Sequence, residues 1–389
     1  MNGLIFGAGN IGRGFLGLLL AKAGYMVTFV DVDHIKVTAL NTQREYPVFV
    51  VSEGGTEAEV ARGVQALQAR DTAAIVEAVV HADIVLTAVG KDALAYLAPS
   101  LAQGLEERIR RRPRSEAHVI VVACENVQDN TAFLREIVLK QVPDEKRIRI
   151  DDAISFPNCV VDRIVPNTVP SRDQNPIAVA VEDYFQLAVD GKALKAPFPN
   201  IAGVEVSDNL DATLEQKLCT LNMAHAIVGY YGYLKGYRFV HEAVADTEIE
   251  SLLHGALDEV GATIANRHQS IGLAAQKSYA TKVVKRFRNP FLRDEIVRVA
   301  RQPQRKLGAD DRLVKPAVLT WAQGRIPAFL ASGITAALHY DYDGDEQARS
   351  LVGQIREQGI ERVLHDVSGL APDTELARLI KSDFLLRSL

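Results

Sequence analysis

The chain opens on an apolar triplet, Leu4-Ile5-Phe6, that runs directly into Gly7-Ala8-Gly9-Asn10-Ile11-Gly12 and then into an amphipathic stretch from Gly12 to Ala23. Strand, tight turn and helix is the order this pattern dictates. Gly7 allows the turn, Gly9 lets the backbone approach a pyrophosphate, and Gly12 lets the helix lie close on the strand with its N-terminus toward the phosphates. Asp31 stands 19 residues beyond Gly12, at the end of a second apolar run, VTFVDV. There a carboxylate can accept hydrogen bonds from the adenosine ribose hydroxyls. The same charge repels a 2′-phosphate and no arginine follows closely, so NAD is expected rather than NADP. Asp33 adds to that repulsion if it points the same way.

The strand and helix rhythm continues through the first 125 residues, with further strands expected at VFVVS (48 to 52), DIVLTAV (83 to 89) and HVIVVAC (118 to 124). This is the pattern of a parallel sheet covered on both faces, a Rossmann-type domain. Ligands of such sheets lie beyond the carboxyl ends of the strands. TAVG (87 to 90) and ACEN (123 to 126) close two of them, which makes Val89, Glu125 and Asn126 candidates to shape the nicotinamide pocket beside Gly7, Ala8, Gly9, Asn10, Ile11, Gly12 and Asp31. Loop capping is the plainer reading of Glu125 and Asn126. The run EERIRRRPRSE (106 to 116) reads as a solvated helix end before a turn at Pro113.

From Ile154 the texture changes to the irregular SFPNCVVDRIVP, followed by a strand-like IAVAVEDYFQLAVD (177 to 190) and a connecting KAPFPN (195 to 200). Beyond about residue 208 strand signals nearly vanish and helical periodicity dominates. The expected class is α/β: a dinucleotide-binding Rossmann-type domain over 1 to 200 and a mostly α-helical substrate and catalytic domain over 201 to 389. Two cores suit 389 residues.

A formal charge of −5 argues against a nucleic-acid or anionic-membrane surface. Cys124, Cys159 and Cys219 are too few and scattered for a disulfide framework or a zinc site, which suits a reducing cytoplasm. No apolar run reaches the roughly 18 to 20 residues of a membrane span, and the N-terminus lacks a signal-type pattern. The nine histidines are dispersed and no H-E-x-x-H occurs, so no metal site is expected. A cytoplasmic monomer or homodimer acting on a small molecule fits these observations.

The chemistry is expected in EQKLCTLNMAHA (215 to 226). On a wheel of about 100° per residue with Lys217 at zero, Leu214, Leu218 and Leu221 fall at roughly 60°, 100° and 40°, His225 near 80° and Asn222 near 140°. Three polar groups thus share or flank the apolar arc. Each alone has a bland reading: a snorkelling lysine, a capping asparagine, a satisfied core histidine. Together, in a chain with a dinucleotide site, they supply what alcohol oxidation needs: a base whose pKa burial can lower, a donor for the oxygen on which negative charge develops, and a group that orients the hydroxyl. A third segment, RFRNPFLRDEIVRVARQPQRKLGADDRLVKP (286 to 316), concentrates Arg298, Arg301, Arg305, Lys306 and Arg312 among few acids. It reads either as a solvated basic helix end or as a clamp for an anionic group, most plausibly phosphate.

FGAGNIGRGF, ACEN, FPNCVVDRIVP, K-x-x-x-x-N-x-x-H and RFRNP...RVARQPQRKL, in this order along nearly the whole chain, resemble the polyol-specific long-chain dehydrogenase/reductase family. The likeness is greatest to its members that act on a polyol phosphate. It implies NAD-dependent, metal-independent interconversion of D-mannitol 1-phosphate and D-fructose 6-phosphate. It also implies roles: Lys217 as general base, Asn158 and Asn222 as the pair holding the reacting oxygen, His225 as the substrate-orienting histidine, and Arg298 and Lys306 as substrate contacts. Where family members that use free mannitol carry aspartate and glycine, this chain has Gln302 and Pro303, and Arg301 and Arg305 are the expected phosphate contacts. Those members also place an acid three residues before the base to help the proton escape; here that position is Leu214, and Glu215 is its neighbour.

Overall fold

The computed structural model describes residues 1 to 166 and 175 to 387, and the chain divides into two units, Met1–Leu210 and Asp211–Leu389. Among the described residues the first unit holds strands β1 (Asn2–Phe6), β2 (Met26–Asp31), β3 (Glu45–Ser52), β4 (Gly55–Arg62), β5 (Val64–Gln68) and β6 (Ile84–Thr87). It continues with β7 (Ile120–Ala123), β8 (Cys159–Asp162), β9 (Val179–Glu182), β10 (Gln186–Asp190) and β11 (Val204–Ser207).

Five of these form one parallel sheet in the order β5-β2-β1-β6-β7. This is the doubly wound arrangement, in which the chain starts at a central strand and reverses direction beside it. Alternation along β1 explains its apolar run: Ile5 packs into one cluster with Phe15, Phe29 and Val122, and Leu4 and Phe6 into another with Val30, Val85 and Leu101. Both faces are buried from Gly3 onward, so no polar residue interrupts the strand beyond Asn2.

Several expectations change in detail. VFVVS forms β3, but β3 pairs antiparallel with β4 and parallel with β9, outside the main sheet, whose outer strand is instead the less apolar β5. The single strand expected over 177 to 190 breaks into β9 and β10, which belong to different sheets. SFPNCVVDRIVP, read as irregular, contains β8, which pairs antiparallel with β10. The division after Leu210, rather than at 200, follows from β11, whose parallel pairing with β10 ties 204 to 207 to the first unit.

The 106 to 116 run is only partly the solvated surface that its composition suggests. Arg110 and Arg111 are exposed and pair with Glu107, but Arg108 is 1% exposed. Its guanidinium donates to the carbonyls of Val79, Val80, Ala82, Ala117 and His118 at 2.6 to 3.1 Å, and to that of Glu116 at 3.4 Å. Burial, with Arg112 adding, brings its pKa down to about 10, still cationic at neutral pH.

Among the described residues the regular structure of the second unit is helical after Asp211, apart from a single bridge between Phe239 and Glu295. Its centre is the helix Met223–Leu234, which packs against Thr247–Arg267, Ile296–Ala300 and Ala328–Leu338. Among the described residues no helix is long and apolar enough to cross a membrane.

Arg108→Ala strands several buried carbonyls at once and is expected to lower unfolding free energy by about 3 kcal/mol or more. Urea denaturation checks this; a change below about 0.5 kcal/mol, typical of a surface site, contradicts it.

Candidate active site

In the first unit the expected cofactor residues gather at the carboxyl edge of the parallel sheet. Gly7 follows β1 with φ +100°, and a Cβ there would lie 2.5 Å from the Ala88 carbonyl oxygen, in the loop after β6. A Cβ on Gly12 would lie 1.9 Å from the carbonyl oxygen of Gly7. Both glycines are therefore demanded by the protein itself. Gly9 is different: a Cβ there would meet nothing within 4 Å. Its open space suits a pyrophosphate lying against the backbone, so the cradle fits a dinucleotide.

Asp31, at the end of β2, accepts from the backbone N–H of Ala8 through Oδ2 at 2.6 Å and from that of Asp33 through Oδ1 at 2.9 Å. These bonds tie the carboxylate to the glycine loop and leave lone pairs for ribose hydroxyls. Asp33 is turned to local work: it caps the helix His34–Gln43 and pairs with Lys36 at 2.8 Å. Arg13, just past the motif, is buried and donates to the carbonyls of Ala8 and Ile177, a strap on the glycine loop that sequence reading missed. The helix it begins is π-helical over Gly12–Gly17 and α-helical over Leu18–Lys22.

Glu125 is 5% exposed and brackets two loops, accepting from Thr87 Oγ1 at 2.7 Å and from the Val89 N–H at 3.0 Å. Burial raises its pKa and these donors oppose the rise. Its carboxylate thus positions Val89, while Asn126 beside it is exposed. Asn130, unforeseen, donates to the carbonyls of Glu125 and Cys159 and accepts from the Cys159 N–H, joining ACEN to FPNC. Asn158 Oδ1 accepts from the N–H groups of Thr131 and Ala132 at 3.0 and 2.9 Å, capping the helix Asn130–Leu139. With that oxygen occupied, what the amide still offers is its Nδ2 donor pair.

In the second unit EQKLCTLNMAHA crosses a change of helix. Leu210–Lys217 is α-helical, Leu218–Asn222 is π-helical, and Met223–Leu234 is α-helical again. A π turn bonds i to i+5 and is frequent at functional sites. A uniform wheel therefore does not hold across it. Lys217 is 9% exposed; Asn222 and His225 are half-buried. Among the described residues no side-chain hydrogen bond involves Asn222. His225 Nε2 lies 3.0 Å from Asp294 Oδ2, and its ring stacks on Phe287 with centroids 4.8 Å apart.

Glu215 is enclosed by two cations and an imidazole: Arg267 at 2.8 Å, Lys315 at 3.2 Å and His268 at 2.7 Å. Burial raises its pKa, and these three partners outweigh burial and bring it to about 2. The buried Gln276 accepts from Gln216 and donates to Thr220 Oγ1, both at 2.8 Å.

The basic segment divides in two. Arg298 forks onto Asp294 Oδ1, with Nε at 2.7 Å and Nη2 at 2.5 Å. Lys306 is buried under the Tyr230 ring and donates to the carbonyls of Val299 and Arg301. Burial, then Arg312, Arg305 and Arg301, hold its pKa well below that of a free lysine. Arg301 and Arg305 are exposed; Arg305 reaches Gln302 Oε1 at 3.1 Å and Asp311 at 3.4 Å, and Asp311 also pairs with Arg312 at 2.7 Å. Asp294 escaped sequence reading; its i,i+4 spacing to Arg298 was the one signal available.

Gly9→Ala is expected to leave thermal stability within about 2 °C of wild type while raising the NADH Kd at least about tenfold in a fluorescence titration. Gly12→Ala should instead destabilise by about 3 kcal/mol, because the clash is internal. Unchanged NADH affinity in Gly9→Ala contradicts the pyrophosphate assignment.

Family models agree with the two-unit reading: the mannitol dehydrogenase Rossmann domain matches residues 1–203 and the mannitol dehydrogenase C-terminal domain residues 209–382. Among solved structures, Pseudomonas fluorescens mannitol 2-dehydrogenase, in a ternary complex with NAD and D-mannitol, is similar in fold with a TM-score of 0.78 at 20% identity, covering 100% of this chain and 92% of that one. D-sorbitol dehydrogenase in substrate-free form is similar with a TM-score of 0.81 at 18% identity and the same coverage. The chain belongs to the mannitol dehydrogenase family, its first unit carrying that family's Rossmann domain and its second the family's C-terminal domain.

Proposed function

We propose that the protein is an NAD-dependent polyol-phosphate dehydrogenase that interconverts D-mannitol 1-phosphate and D-fructose 6-phosphate, a mannitol-1-phosphate 5-dehydrogenase. Family membership supports polyol oxidation. The observation that carries the phosphate is the group Arg301, Arg305 and Arg312 beside the buried Lys306, with Asp311 pairing only with Arg305 and Arg312 among them. Arginine forks suit a phosphate dianion better than a neutral hydroxyl.

Bound NAD supplies the hydride acceptor. Gly7, Ala8, Gly9, Asn10, Ile11, Gly12 and Asp31 would hold it, and Val89, Glu125 and Asn126 would shape the pocket for its nicotinamide. Lys217, unprotonated, takes the proton of the C5 hydroxyl. That role is assigned by resemblance, and the Lys217 side chain is almost fully enclosed. The Asn222 amide donates to the oxygen that gains negative charge, and Asn158, held donor-outward by its cap, is assigned the same role by resemblance. His225 orients the substrate. Glu215 is not the proton relay, because Arg267, His268 and Lys315 keep its carboxylate ionised far below neutral pH.

A second reading, oxidation of free mannitol at C2, draws on the activity named for the Pseudomonas fluorescens neighbour.

Lys217→Ala should lower kcat at least about a thousandfold with NADH binding retained; near-normal turnover removes the assignment. In an NADH oxidation assay the wild type should prefer fructose 6-phosphate to fructose, and Arg301→Ala and Arg305→Ala should each raise KM for the phosphate ester about tenfold or more. Preference for the free ketose selects the second reading. An unchanged KM in either arginine variant removes that residue alone.

A further inference from the structure

Asp294 is the most deeply buried carboxylate around the polar helix, its side chain 4% exposed. Its backbone is pinned on both sides: the Asp294 carbonyl accepts from the Val240 N–H, and the Ile296 N–H donates to the Arg238 carbonyl, both at 2.9 Å. One carboxylate oxygen meets His225 Nε2 and the other takes the Arg298 fork. Burial alone would neutralise this acid, but Arg298 and His225 outweigh it and hold the carboxyl below its usual range. An ionised carboxylate only accepts, so the nitrogen facing it must carry the proton.

The imidazole is restrained in its other degrees of freedom by Phe287, whose ring lies at 22° to it. The charged groups facing His225 are Asp294, Arg298 and Lys306; burial and the two cations favour the neutral ring, against Asp294. In a neutral ring protonated at Nε2, Nδ1 presents a lone pair. Among the described residues no hydrogen bond involves that atom.

We propose that Asp294 is a positioning residue that holds His225 in its Nε2–H tautomer, so that Nδ1 accepts a hydrogen bond from a substrate hydroxyl, with Arg298 securing Asp294. The role given to Nδ1 rests on the reading of His225 as the substrate-orienting residue; the tautomer does not. The reacting hydroxyl gives its single proton to Lys217 and its oxygen needs donors, which the asparagine amides supply, so the hydroxyl that Nδ1 accepts from is a neighbouring one on the substrate. Arg298 then acts through Asp294 rather than on the substrate.

Two measurements on the full-length protein with NADH bound test this. In two-bond proton–nitrogen spectra of histidine-labelled protein, with the His225 signal identified by its loss in His225→Asn, wild type should show a protonated Nε2 and an unprotonated Nδ1 at neutral pH. Asp294→Asn, whose amide can turn its NH2 toward Nε2, should shift the ring toward the Nδ1–H form. A wild-type ring protonated at Nδ1, or at both nitrogens, overturns the proposal whether or not any ketose reacts. In kinetics, Asp294→Asn should lower kcat/KM for the ketose about a hundredfold with NADH Kd unchanged, and by less than about twofold in a His225→Ala background. Asp294→Glu should recover part of the loss. Full additivity of the two substitutions overturns action through His225. If no ketose phosphate or ketose turns over, the proposed function falls while the spectra still decide the tautomer.

Discussion

Burying charge is costly unless each charge is answered, and the helix running from Leu210 to Leu234 carries more of it than its apolar neighbours would ordinarily tolerate. Glu215 and Lys217 are both below one-tenth exposed, next to the buried Cys219, Leu221 and Met223. The surrounding helices supply partners for Glu215 and for the polar groups that follow it. Thr247–Arg267 brings Arg267, with His268 just beyond it, Leu273–Phe287 brings Gln276 and the ring under His225, and the turn before Ile296–Ala300 brings Asp294. The π turn at Leu218–Asn222 changes which residues share a face between Lys217 and Asn222. These contacts within the second unit are thus consequences of one constraint.

The first unit answers a different requirement. Its sheet brings β1, β2, β6 and β7 to end side by side, and a residue at or just past each end has a defined role. Gly7 makes the turn, Asp31 accepts from the Ala8 N–H, Thr87 donates to Glu125, and Glu125 holds Val89. Gly9 stands out because nothing in the protein requires it. A glycine whose missing side chain leaves open space is explained by what the loop holds.

Much of this was legible in the sequence wherever a local rule decides the outcome. The glycine loop, the strand before it and Asp31 follow from turn geometry and spacing, and the helical second half follows from periodicity. Where distant segments decide, sequence was silent. VFVVS is a good strand in any sheet, and only its pairing with β4 and β9 removes it from the main one. Arg108 looks like its solvated neighbours; carbonyls from two separate stretches, 79 to 82 and 116 to 118, converge on it only in the fold. Asp294 and Asn130 escaped for the same reason, since each acts on a residue 69 or 29 positions away. Lys306, by contrast, was picked out by resemblance, and its position on two backbone carbonyls shows a packing role that resemblance does not reveal.

The central claim is that these residues transfer hydride to one carbon of a phosphorylated ketose. Reduction of fructose 6-phosphate with NADH deuterated at C4 of the nicotinamide, followed by NMR of the product, tests it most directly. The account predicts mannitol 1-phosphate carrying one deuterium, at C5, for each deuteride consumed. Deuterium found only in products of free ketoses, or a phosphate ester recovered unlabelled while NADH is stable, would contradict it.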